Sequence, residues 1–259
     1  MYFIDSHAHI YQEEILNDLS SFVFRSQAND VQQIIMPCVD SQCLQNMYKC
    51  EELFPTICFS TVGLHPCYVN TDFSNELSLL KQELEHKKFY AIGEIGIDLY
   101  HDTTFKNQQE IVFVEQIKWA LEYDLPIIIH TRNAFYDTVR CLKSVQKKGF
   151  KGVFHCFGGS LQDAEVALEM GFKLGIGGVV TYKNSTLPSI IKDIDLENII
   201  LETDSPYLTP VPFRGKPNEP SYIPYIAQKI AEIKNISVDN VANVTSKVCK
   251  ELFKLPEVC

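Results

Sequence analysis

Apolar residues in this chain fall into short uninterrupted runs, separated by longer stretches in which they return every three or four positions. The runs read as buried strands and the periodic stretches as amphipathic helices. The opening stretch, Phe3-Ile4-Asp5-Ser6-His7-Ala8-His9-Ile10, carries no helix start signal and reads as a strand. Helical spacing of Ile15, Leu19, Phe22 and Val23 predicts a helix from about Glu13 to Asn29, and a second strand from Gln33 is stopped by Pro37. Asp40 and Ser41 can cap a helix holding Leu44, Met47 and Leu53. A third strand, from Ile57 to Val62, ends in Gly63-Leu64-His65-Pro66. A helix around Glu76 to His86 leads to a fourth strand from Phe89 to Glu94. Ile111, Val114, Ile117 and Leu121 mark the next helix, followed by strands from Pro126 to His130 and from Gly152 to His155. Ser160 with Asp163 resembles a capping box for a helix that Gly171 ends. Strands from Phe172 to Ile176 and from Asn198 to Glu202 follow, and a helix with Val241, Val244, Val248 and Leu252 closes the pattern.

Eight apolar strands alternating with helices predict an α/β fold with a parallel sheet covered on both faces. In 259 residues such units close most economically into a TIM (β/α)8-type barrel. No linker or repeat divides the chain, so residues 1–259 are expected to form a single domain. The Pro-rich stretch from Pro206 to Pro224 follows the last strand and reads as an active-site loop.

Within that architecture the polar residues have a common address. His7, His9, His65, Glu94, His130, His155 and Asp204 all lie at or just past the ends of predicted strands, where barrel active sites sit. Five of the seven histidines belong to this set, leaving only His86 and His101 outside, which a random scatter would not produce. On a strand, His7 and His9 share a face and offer two ring nitrogens side by side. His, Glu and Asp together suit divalent zinc, manganese or magnesium. Two ions with Glu94 bridging are the natural allocation, because the set exceeds the needs of one tetrahedral ion. His65 is either a turn histidine or a substrate contact. Asp98 either orients a ligand or caps its loop. Glu202 either orients a ligating histidine or makes a structural pair.

A formal net charge of −10 excludes a broad electrostatic grip on nucleic acid, while leaving room for a phosphate beside bound cations. Nine scattered cysteines, with no signal or apolar span before the first strand, predict a cytoplasmic enzyme with free thiols and no membrane partner. Cys38, Cys43 and Cys50 lie close in sequence but lack the second pair of a zinc site, and so read as free thiols.

The ordered set Asp5-Ser6-His7-Ala8-His9, Gly63-Leu64-His65-Pro66, Gly93-Glu94-Ile95-Gly96-Ile97-Asp98, Ile129-His130-Thr131-Arg132 and His155-Cys156-Phe157 runs through most of the chain. It continues with Leu201-Glu202-Thr203-Asp204-Ser205-Pro206-Tyr207-Leu208 and Arg214-Gly215-Lys216-Pro217-Asn218-Glu219-Pro220. Together these resemble the TatD family of metal-dependent deoxyribonucleases. The resemblance implies divalent metals held by His7, His9, Glu94, His130, His155 and Asp204, with Glu94 and Asp204 catalytic. It also implies phosphodiester hydrolysis on DNA from the 3′ end, with no obligate protein partner, and places Asn218 with His65, Arg132 and Arg214 among the substrate contacts. The chain departs from the family at Cys67, where many relatives carry histidine, and at Gly158-Gly159, where others carry bulkier polar residues.

The expected chemistry is attack on phosphorus by a metal-activated water, with Asp204 positioning it or taking its proton. Arg132, Lys183, Arg214 and Lys216 follow strands five, seven and eight, where they could meet phosphates. Tyr100, Tyr136, Tyr182, Tyr207 and Phe213 are placed to stack unpaired bases. The same ligands would activate water against a carbonyl, as in an amidohydrolase or a D-aminoacyl-tRNA deacylase. No lysine stands beside His130 to be carboxylated as a bridge, which favours the phosphodiester. A non-catalytic scaffold on this barrel would be expected to have lost ligands, and all six are present.

Overall fold

The computed structural model describes residues 1–100, 102–145 and 149–258; His101 and Cys259 lie outside them. Among the described residues, eight strands alternate with ten helices. The strands are β1 (Phe3–Asp5), β2 (Val31–Met36), β3 (Cys58–Ser60), β4 (Ile92–Asp98), β5 (Ile127–Arg132), β6 (Gly152–Phe154), β7 (Phe172–Ile176) and β8 (Ile199–Leu201). The helices are α1 (Glu13–Leu16), α2 (Leu19–Ala28), α3 (Leu44–Leu53), α4 (Phe73–His86), α5 (Lys106–Tyr123), α6 (Phe135–Ser144), α7 (Leu161–Glu169), α8 (Leu187–Asp193), α9 (Ile223–Lys234) and α10 (Val238–Phe253).

Strands β1–β3 and β4–β8 form two parallel ladders in chain order. Two seams close them into a barrel. Val62 pairs with Ile92 at one, where the Gly93 N–H donates to the Val62 carbonyl at 2.9 Å. Ala8 pairs with Ser205 at the other, where the Asp204 N–H donates to the His7 carbonyl at 2.8 Å. The second seam joins segments almost two hundred residues apart and brings His7 beside Asp204.

The strand sequences explain both cores. Ile4, Ile35, Phe59, Ile128, Val153 and Ile200 come from six of the eight strands, with Ala91 from just before β4, and pack together inside the barrel. Cys249, Phe253 and Leu255, from the end of α10 and just beyond, close that cluster. Side chains two apart on a strand share a face. His130 therefore follows Ile128, His155 follows Val153 and Glu202 follows Ile200 up the barrel interior to its mouth. A larger cluster fills the layer between strands and helices, with Val112, Phe113, Ile117 and Ala120 from α5, and Ile226, Ala227 and Ile230 from α9.

Several predicted boundaries move. The helix expected from Glu13 to Asn29 breaks at Asn17–Asp18 into α1 and α2. β4 starts at Ile92 rather than Phe89 and runs on to Asp98, so Glu94 is its third residue and not its end. The glycines Gly93 and Gly96 let β4 shift register between Ile92 and Ile95 and approach β5 closely. A Cβ on Gly96 (φ +147°) would stand 1.9 Å from the His130 carbonyl oxygen. β5 likewise continues past His130 to Arg132. The Pro-rich stretch is loop only as far as Glu219; a single helical turn at Pro220–Tyr222 leads into α9, whose early Pro224 lacks an N–H where none is needed. The capping box of Ser160 and Asp163 opens α7 as expected. No described helix is long and apolar enough to cross a membrane.

Candidate metal centre

The functional side chains reach the mouth from six directions. His7 and His9 follow β1, His65 follows β3, Glu94 and Asp98 lie on β4, His130 on β5, His155 follows β6, and Glu202 and Asp204 follow β8. Asp204 adopts the left-handed backbone (φ 58°), which aspartate tolerates better than most residues, and its carbonyl accepts the Tyr207 N–H at 2.7 Å. Asp5 ties the segments after β1 and β8 together. Its Oδ1 accepts N–H bonds from His7 (3.1 Å) and Thr203 (3.0 Å), and its Oδ2 accepts the Thr203 hydroxyl.

Glu94 is the hub. Its Oε2 lies 3.2 Å from His7 Nε2 and 3.8 Å from His9 Nε2. Its Oε1 lies 2.9 Å from His130 Nδ1, 3.4 Å from His65 Nε2 and 3.7 Å from His155 Nε2. Asp204 Oδ1 stands 3.5 Å from His9 Nε2, 3.7 Å from His7 Nε2 and 4.0 Å from His155 Nε2. One carboxylate thus presents one oxygen to each of two histidine groups, the arrangement a bridging ligand needs.

What holds the far nitrogen of each ring decides which nitrogen offers a lone pair, because a neutral imidazole has one donor and one acceptor. The Tyr11 hydroxyl donates to the Pro37 carbonyl at 2.7 Å, so it accepts from His9 Nδ1 at 2.8 Å. His9 Nε2 is then the lone pair facing Glu94 and Asp204. Asp98 Oδ2 accepts from His130 Nε2 at 2.9 Å, leaving Nδ1 open toward Glu94. Glu202 Oε1 stands 3.1 Å from His155 Nδ1 and also accepts the Cys156 N–H at 2.6 Å. His155 Nε2 accordingly faces inward. Carboxylate, hydroxyl and histidine make the outer supports typical of metal sites.

His65 is different. Its Nδ1 accepts the Cys67 N–H at 3.1 Å, so in the neutral ring Nε2 carries the proton. It falls within ligand distance of Glu94 and His130, yet it meets them as a donor. His7 is different again. Both of its ring nitrogens are buried without a hydrogen-bond partner, and the ring stacks on His155 at 3.4 Å between centroids. A buried imidazole nitrogen without a hydrogen bond is costly, and a cation between His7 Nε2, Glu94 and Asp204 would satisfy that nitrogen. The donor set therefore fits a divalent metal.

The electrostatics match a site built for positive charge. Burial opposes ionisation of Glu94, but His65, His7 and His155 outweigh it and hold its carboxyl well below the ordinary range. Asp204 is lowered in the same way, by His9, His155 and His7 against its burial. Burial disfavours a charged His155, but Glu202, Glu94 and Asp204 overcome this and push its pKa up to about 10.

Two clefts meet here. One, about 620 Å³, includes His9, His65, Glu94, Tyr68 and Tyr207 in its walls; the other, about 900 Å³, runs past Arg132, Tyr136, Phe157, Gly158 and Gly159. His130, His155 and Asp204 line both. At the rim the Arg132 guanidinium lies 3.7 Å from the Tyr100 ring centroid and that of Arg214 lies 4.0 Å from Tyr182. Cys67 is exposed and places its sulfur 3.6 Å from Asp98 Oδ2. Asn218 does not join the clefts: it is fully buried, and its amide nitrogen donates to the Thr203 and Tyr207 carbonyls at 2.7 Å each. It braces the loop that carries Asp204 and lies outside the walls of both clefts.

A family model described as TatD related DNase matches residues 4–254. This chain belongs to the TatD family. It is 38% identical to the Bacillus subtilis metal-dependent hydrolase YabD, over 97% of this chain and 98% of that one. It is 31% identical to the Escherichia coli metal-dependent hydrolase YjjV, over 98% of each. The crystal structure of the Escherichia coli TatD homologue YjjV superposes with a TM-score of 0.92 across 98% of both chains. A TatD family hydrolase from Entamoeba histolytica, 22% identical with a TM-score of 0.83 over 99% of both chains, shares the fold. The TatD assignment makes this protein a metal-dependent hydrolase on an α/β barrel.

Sequence reasoning missed Tyr11, Gln109 and Gln116. Gln109 Oε1 accepts the Asp98 N–H at 3.0 Å, and Gln116 exchanges two hydrogen bonds with the main chain of Leu64, beside His65. Both are buried on α5 seven positions apart. Polar residues on an otherwise apolar helix face were the signal that could have found them.

Proposed function

We propose that this protein hydrolyses phosphodiester bonds in DNA, as a 3′–5′ exodeoxyribonuclease dependent on two divalent metal ions. The observation that carries the two-ion reading is the division of the Glu94 oxygens between two histidine groups. His7, His9, Glu94 and Asp204 would hold one ion and Glu94, His130 and His155 the other, with manganese, magnesium and zinc all compatible with this ligand set. Bound there, divalent ions supply a lowered pKa for water and neutralise charge on the phosphate oxygens.

This chain's residues then have distinct tasks. Asp204, kept ionised by its histidines, accepts the proton of the attacking water. The His65 N–H donates to a phosphate oxygen, and its tautomer is fixed by Cys67. Arg132 and Arg214, each with its guanidinium over a tyrosine ring, are suited to flanking phosphates, with Tyr100 and Tyr182 placed to meet unpaired bases. The DNA reading is further supported by the description of the family model. Among the described residues no lysine lines either cleft to serve as a carboxylated bridge, which weighs against a carbonyl substrate.

The test is hydrolysis of end-labelled single-stranded DNA by metal-reconstituted wild type and Glu94→Ala, with a D-aminoacyl-tRNA in parallel. Stepwise shortening from the 3′ end is expected for wild type, falling at least about 100-fold in the variant. Intact DNA beside deacylated tRNA would overturn the substrate and keep the metal centre.

A further inference from the structure

The wall of the smaller cleft holds a second cluster of ligand atoms that hydrolysis does not use. Cys43, at the turn before α3, lines that cleft and is half-buried, whereas Cys38 and Met47 are fully buried behind it. Cys43 Sγ lies 3.5 Å from Cys38 Sγ and 3.5 Å from Met47 Sδ. Cys38 Sγ and Cys43 Sγ each stand 3.1 Å from one acceptor, the Asp40 carbonyl oxygen. Asp40 caps the turn that carries Cys43, its Oδ1 accepting the Cys43 N–H at 3.1 Å.

Three sulfurs so arranged are more than apolar filler. The spacing Cys38, Cys43, Met47 places two of the sulfurs on successive turns of one helical segment and the third on the strand exit facing them. Sulfurs bound about 2.3 Å from a shared ion in one plane stand roughly 4 Å apart. The two contacts that Cys43 makes would each open by about half an ångström, which its half-buried side chain can supply. Two thiolates and a thioether are soft ligands that select monovalent copper over the hard and borderline ions suited to the histidine centre.

We propose that Cys38, Cys43 and Met47 form a binding site for a soft monovalent cation, Cu(I), in the wall of the active-site cleft. Binding exchanges two thiol protons for one ion with no change of oxidation state, so no oxidant is required. The site is joined to the hydrolytic centre through main chain: Cys38 donates its N–H to the Gly93 carbonyl at 3.1 Å and accepts the Glu94 N–H at 2.8 Å.

The experiment titrates Cu(I) anaerobically into full-length protein whose histidine centre is saturated with Mn(II), against a chromophoric Cu(I) chelator. One equivalent should bind, with a near-ultraviolet thiolate-to-copper band and protection of Cys38 and Cys43 from alkylation. Cys43→Ser should weaken binding by more than about 100-fold, beyond what losing an outer support costs a metal site. Met47→Leu, close in volume, should weaken it by roughly tenfold and keep the band. Binding by wild type no tighter than by Cys43→Ser would overturn the proposal, as would protection of Cys67 in place of the Cys38–Cys43 pair.

Discussion

Imidazoles of one chemical type are given opposite roles here by single hydrogen-bond partners. Tyr11 and Asp98 take the far N–H of His9 and His130, and Glu202 stands 3.1 Å from the far nitrogen of His155 as a charge partner, whereas the Cys67 main chain donates to His65. Glu202→Gln should therefore keep the fold and lower divalent-metal affinity by about 10–100-fold, read by competition with a metal-sensitive dye. An unchanged affinity would mean that Glu202 is only a structural partner of Cys156. The charge on His155 gives a pH dependence with a definite sign. Its pKa in the folded chain, pushed up to about 10, lies above the ordinary 6.5. In chelated protein its stabilising contribution is complete below 6.5 and is lost as pH rises through 10. A ligating cation must displace that proton, so metal affinity should climb by up to about tenfold per pH unit between these limits. Calorimetric titration in two buffers of different ionisation enthalpy should show proton release at pH 8.

At the scale of the element, β4 carries the densest chemistry, and its glycines make that possible. Gly96 pairs with His130, and its positive φ and the 1.9 Å approach of a would-be Cβ to the His130 carbonyl leave no room for a side chain. Gly96→Ala should cost roughly 3 kcal/mol or more and displace His130, lowering the denaturant midpoint and the metal affinity together. Loss of stability with full metal affinity would show that β5 moves without carrying His130. Helix α5 supports the same strand from outside through Gln109 and Gln116. Its apolar periodicity was legible in Ile117 and Leu121, but the use of its glutamines was not, because their partners, Asp98 and Leu64, belong to other elements.

For the whole molecule, closure of the barrel is what assembles the site. The seam between β1 and β8 brings Asp204 to His7, and the chain end seals the opposite opening, where Phe253 is 1% exposed and packs against the interior cluster. Phe253→Ala should destabilise the protein by about 3–5 kcal/mol, measured by chemical denaturation, through the cavity left at the base. Metal affinity of the folded fraction should be retained, because the mouth lies at the other end of the strands.

The sequence by itself determined the strand and helix alternation, and with it the convergence of His7, His9, His65, His130, His155 and Asp204. Strand ends follow from local apolar runs, and a parallel barrel leaves those ends only one place to meet. It also marked Glu94, although two glycines concealed that the strand continues past it. Tertiary structure decided the rest. Which nitrogen of each histidine is offered, the division of Glu94 between two groups, the bracing role of Asn218 and the meeting of Cys38 with Cys43 and Met47 all depend on partners set by folding. Local periodicity records which face a residue takes, but not which atom will stand opposite it. The bond from Thr203 to Asp5 spans 198 positions, and no pattern within a helix or strand contains it.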